Sequence, residues 1–159
     1  MRRFLKFLHT MGATGLLGSI ASLLVLLIVV PPAPSLAAYA SFRETMSLIG
    51  TWVFLPSLGL TLISGLLAIA ATPAYHNAGW AWVKAVSGIL MFESGFMGVL
   101  GPLQQEAERA SAALAAKADP STLAHSFSSE RNTIAILIAI AVFNVAFGIW
   151  RPRLTRIPN

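Results

Sequence analysis

The chain has 159 residues, of which 56% are hydrophobic and only 11% charged, with a mean hydropathy of +0.73 and a formal net charge of +5. That balance excludes an ordinary water-soluble domain and points to one compact membrane-embedded helical bundle, with no length for a separate soluble domain. Cysteine is absent, which excludes disulfides, thiolate metal sites, iron–sulfur clusters and covalent c-type haem attachment.

The first apolar run covers about 8–30 and stops at Pro31-Pro32, which remove backbone donors. Its start resembles a secretory signal peptide: MRRFLK is basic, an apolar run follows, and Ala37, Ala38 and Ala40 are small. An apolar run of about 20 residues exceeds the usual signal core of about 7–15, which favours a retained anchor over a cleaved peptide. A segment rich in Pro, Ala and Ser over about 31–50, containing Arg43 and Glu44, reads as an outer loop.

The second span, about 51–72, contains Pro56 and the small residues Ser57, Thr61 and Gly65 at every fourth position. Such a face lets helices approach closely. A short turn over Pro73–Gly79 leads to the third span, about 80–103, which opens with the interfacial aromatics Trp80 and Trp82. The second outer loop spans about 104–132; within it QQEAERASAALAAKA reads as helix until Asp119-Pro120 breaks it. The fourth span, about 133–150, carries Asn144 and Gly148 on one face, with Asn144 suited to an interhelical hydrogen bond.

The expected fold is therefore all-α, a four-transmembrane-helix bundle. Arg2, Arg3 and Lys6 precede the first span, and Arg151, Arg153 and Arg156 follow the last. The positive-inside rule then predicts N-in/C-in orientation, and the small size and flanks suggest a bacterial inner (cytoplasmic) membrane. The terminal cations make membrane lipids the expected partners, alongside other membrane subunits or a second copy of the chain. No basic stripe interleaved with aromatics is present, so nucleic acid is not expected.

Three ionisable residues fall inside the spans: His9, Lys84 and Glu93. Charges at such depth cost several kcal/mol unless paired, bound or able to reach the interface, so these are the candidate functional residues. His9 and Lys84 lie at similar depth near the cytoplasmic end, and each heads a face of small residues: Gly12 and Ala13 after His9, Ser87 and Gly88 after Lys84. A flat macrocycle or a close-packed helix fits between such faces. Neutral imidazole is an ordinary axial ligand of haem iron, and a deprotonated lysine amine can ligate as well. The plain alternatives are a snorkelling lysine and a histidine bonded to its neighbour helix.

Glu93 sits near the middle of the third span, nine residues and about 13 Å of rise from Lys84 and on the opposite side of the helix. It is a candidate proton carrier, cation-coupling acid or helix–helix contact. His76 and His125 lie in connecting segments and read as solvated, so a two-haem cytochrome with four membrane-embedded histidines is excluded. Ser/His/Asp sets, HExxH, P-loop and GxGxxG patterns are all absent.

LKFLHTMGATGLLGS resembles the first helix of a broad group of bacterial four-helix membrane proteins that includes copper-resistance-D-like and uncharacterised integral membrane proteins. TWVFLPSLGLTLISGLL and WAWVKAVSGILM are similar to the second and third helices of that group, so the resemblance covers roughly 1–103. The group also includes the HemJ-type protoporphyrinogen oxidase, in which a first-helix His and a third-helix Lys are implicated in haem binding. By motif position these are His9 and Lys84, and the resemblance thus implies a haem b or porphyrin site with both as ligands of the haem iron. After the first span this chain reads VVPPAPS where the oxidases continue with charge and histidine, so what carries over is the porphyrin site and not the oxidase activity.

Two readings stand on the sequence. One is a small haem- or porphyrin-binding membrane protein with a redox or cofactor-handling role; the other is a non-enzymatic accessory or oligomerising subunit, or a small proton-coupled transporter, using Glu93.

Overall fold

The computed structural model describes residues 2–29, 35–119 and 127–150, and within them every long element is helical. Four helices make the bundle: α1 (Arg2–Val29), α2 (Leu36–Ala70), α3 (Gly79–Ala115) and α4 (Ser128–Trp150). A single helical turn, Pro73–His76, joins α2 to α3. All four are long and apolar enough to cross a membrane, which makes the chain a multi-pass membrane protein. Pro31-Pro32, Pro120, His125 and the C-terminal arginines lie outside the described residues.

Two helices are longer than the sequence suggests. Where 31–50 reads as a loop, Leu36–Ile49 is helix, opened by Ser35, whose side chain accepts from the Ala38 amide at 3.2 Å. It runs without a break into the second span. The third helix likewise continues through Gly101-Pro102 to Ala115 instead of ending near 103. At 35 and 37 residues, α2 and α3 are about 52 and 55 Å long, against a hydrocarbon core of about 30 Å. Their shared overhang lies at the end of the bundle that carries Arg43.

Both prolines are accommodated in the same way. A π-helical turn, Gly50–Phe54, precedes Pro56, with the Leu55 amide donating to the Gly50 carbonyl; a second, Phe96–Leu100, precedes Pro102, with the Gly101 amide donating to the Phe96 carbonyl. Proline supplies no N–H and crowds the carbonyl four residues back, and one extra residue in the preceding turn relieves that clash without ending the helix. Several hydroxyls in the spans are satisfied within their own helices, as when Thr14 donates to the Thr10 carbonyl and Ser22 to that of Gly18. In lipid no water is present to do this instead.

The tightest helix pair is α1 with α2. A Cβ on Gly12 would lie 2.6 Å from Thr61 Oγ1 and 2.8 Å from the Thr61 amide nitrogen, and one on Gly15 would collide with Ser57 Oγ. The Ser57–Thr61–Gly65 face is thus a packing face, as its spacing implies. From Leu16 towards the Arg43 end the interior is continuous, closed by Ile20, Leu23, Phe54, Met91, Leu103 and Leu137. Towards the His9 end it opens.

Candidate functional site

Below Leu16, side chains from all four helices surround a half-open cavity of about 430 Å³. Its size falls within the range of small-molecule sites. The walls are mostly small or apolar, including Ala13, Gly65, Ala85 and Gly88, with Tyr75 and Trp80 also on the lining. His9, Lys6 and Lys84 supply its ionisable groups, and among the described residues no Asp or Glu lines it. An apolar slot with positive groups and no acid favours an amphiphile bearing negative charge.

His9 is held in one tautomer. Its Nδ1 lies 2.9 Å from the Thr61 carbonyl oxygen, which can only accept, so Nδ1 carries the proton and Nε2 carries the lone pair. The Ser64 hydroxyl, 3.4 Å from Nδ1, is committed to the Leu60 carbonyl. Gly65 makes room for the ring: a Cβ there would sit 3.2 Å from Cε1 and 3.3 Å from Nδ1. A histidine whose Nδ1–H is fixed by a backbone carbonyl is the arrangement seen when the other nitrogen binds a metal.

Lys84 reaches the cavity from α3, close enough for its charge to act on the imidazole. Its Nζ lies 2.7 Å from where a Cβ on Gly148 of α4 would stand, so the ammonium occupies space that only glycine leaves open. One turn deeper, the Ser87 hydroxyl donates to Asn144 Oδ1 at 2.7 Å, and the Asn144 amide donates to the Ile140 carbonyl at 3.1 Å. Asn144 is therefore the interhelical bond its position suggested. His9 and Lys84 share one cavity, whereas Glu93 does not line it. Glu93 is exposed on the outer face of α3 among exposed Val86, Ile89, Leu90, Phe96 and Met97.

Compared with family models, curated proteins and solved structures, the chain has no match.

A second polar cluster was not foreseen. Arg43 is 1% exposed and makes a bidentate pair with Glu130, with Nη1 donating at 2.9 Å and Nη2 to the other oxygen. Glu106 lies 4.0 Å from Nη2 and also accepts from Arg109 at 2.8 Å. The rings of Tyr39 and Phe127 flank the guanidinium at 5.9 and 5.6 Å, while Nε has no hydrogen-bond partner among the described residues. Read as loop charges, these residues in fact clamp α2, α3 and α4 together. The available signal was the helical stripe Ala40, Arg43, Met46 and Gly50, all four buried.

His76 is exposed, and its carbonyl accepts from the Trp82 indole at 2.9 Å. Among the described residues no three His, Cys, Asp or Glu side chains gather as a metal cage. A metal held in this cavity would need most of its donors from a carrier, as a porphyrin provides.

Proposed function

We propose that the protein binds a haem- or porphyrin-type macrocycle in the His9 cavity and serves a redox or cofactor-handling role in the membrane. The observation that carries this reading is the fixed His9 tautomer, with Nδ1 donating to the Thr61 carbonyl and the Nε2 lone pair left for a metal, beside a mostly apolar cavity whose lining includes Ala13, Gly65, Ala85 and Gly88. His9 would hold the iron, Lys84 would be the second candidate ligand, and the small residues would leave room for the macrocycle. When bound, haem b supplies one-electron chemistry; the chain's own part is to orient the macrocycle and exclude water. The terminal Arg/Lys clusters support N-in/C-in insertion in a bacterial inner membrane, which sets the cavity in the cytoplasmic leaflet. The test is an absorption spectrum of the detergent-purified protein expressed with haem supplied. A stoichiometric Soret band that shifts on dithionite reduction and vanishes in His9→Ala is expected; a bare protein spectrum, or an unchanged band in His9→Ala, refutes the site.

A second reading rests on Glu93. Carboxyls within spans ordinarily face protein or a wet cavity, so one on an apolar outer face favours a surface covered by another membrane chain or a second copy. Glu93→Gln should then change the assembly state in mild detergent while leaving haem uptake intact.

A further inference from the structure

The cavity at the His9 end opens through the side of the bundle. Thr10 of α1, Leu66 of α2 and Val145 of α4 line it and are also exposed, and all three lie within membrane-crossing helices. An opening there faces acyl chains instead of water, and an apolar space in contact with lipid is filled by lipid. Polarity changes along the slot. At one end stand the exposed Lys6 and an edge-to-face pair, Tyr75 and Trp80, with ring centroids 5.4 Å apart. Tyr75 belongs to the turn that joins α2 to α3, so this end lies at headgroup level, where such rings collect. At the other end stand Leu16, Leu58 and Met91. Lys6 and Leu16 are separated by about 15 Å of rise along α1, half of a hydrocarbon core of about 30 Å. The slot therefore has the depth of one leaflet and the polarity of one lipid. Its lining includes Lys6, His9 and Lys84 and, among the described residues, no Asp or Glu, so it attracts a phosphate and has nothing to balance a choline ammonium.

We propose that the slot binds one anionic phospholipid, with an acyl chain lying past Ala13 towards Met91 and the headgroup phosphate at Lys6, and that a macrocycle enters only by displacing it. The lipid site follows from the cavity alone; the displacement rests on the macrocycle reading.

The test uses delipidated full-length protein in detergent, titrated with phosphatidylglycerol or phosphatidylcholine and read by native mass spectrometry. The wild type should retain one phosphatidylglycerol about tenfold more tightly than phosphatidylcholine, and Lys6→Gln should weaken the phosphatidylglycerol complex about fivefold while leaving phosphatidylcholine unchanged. Ala13→Leu, which fills the slot, should lose the retained lipid. Val145→Trp blocks the exposed mouth without touching the buried core and should lose it too. Equal retention of the two lipids overturns the proposal, as does a phosphatidylglycerol adduct that survives both Ala13→Leu and Val145→Trp. Haem added to the wild-type lipid complex should release the lipid one for one; a complex that carries both refutes the displacement. If the wild type takes up no haem, the macrocycle reading falls, and the lipid site stands or falls on the titration.

Discussion

At the Arg43 end of the bundle the polar groups are closed off, and at the His9 end they are left open to a ligand. Arg43 is fully enclosed, with Glu130, Glu106, Tyr39 and Phe127 around it and the Met46, Phe54, Leu103 and Leu137 core beneath. His9 is tied by one edge to the Thr61 carbonyl and Lys84 occupies the space beside Gly148, both next to a cavity of about 430 Å³. The difference teaches where each polar side chain spends its bonding capacity. A buried guanidinium engaged by neighbours from three helices specifies their register; an imidazole with one nitrogen fixed and one lone pair left over is suited to binding.

The comparison breaks most sharply at Arg43. Removing it strands two carboxylates at the helix junction, so Arg43→Met should destabilise the purified protein by about 3–5 kcal/mol, read as a lower unfolding midpoint in detergent. An unfolding midpoint equal to wild type would mean that the cluster does not hold the three helices. Next in size is the core. Leu137→Ala, with its side chain 1% exposed, should cost about 2–5 kcal/mol, whereas Leu66→Ala on the cavity wall should cost under about 1 kcal/mol. Equal losses at the two positions would erase the distinction between closed and open ends. The smallest stability effect is expected from filling the cavity: Ala13→Leu should leave the unfolding midpoint within about 0.5 kcal/mol of wild type yet abolish haem uptake. Uptake retained in that variant would move the ligand out of this cavity.

The spans were legible because lipid demands long apolar helices, and nothing else in the chain competes with that signal. The Ser57–Thr61–Gly65 face and the Asn144 bond were legible too, since small and polar residues at helical spacing have few uses in a membrane. The Leu36–Ile49 extension was not, because its Pro-, Ala- and Ser-rich approach and its charges read as a solvated loop. Those charges make sense only once Glu106 and Glu130, far along the chain, are set against Arg43.

Sequence alone thus determined the class of solvent, the number of membrane helices, the small-residue seams and the short set of ionisable residues worth testing. Tertiary structure alone decided that Arg43 is buried, that Glu93 faces outward from the bundle, and that Lys84 lies against Gly148 of α4 beside the His9 cavity. The reason is physical: a helix's length and apolar character are local sums over neighbouring residues. The fate of a charge depends on which distant groups share its surroundings, and only packing brings those together.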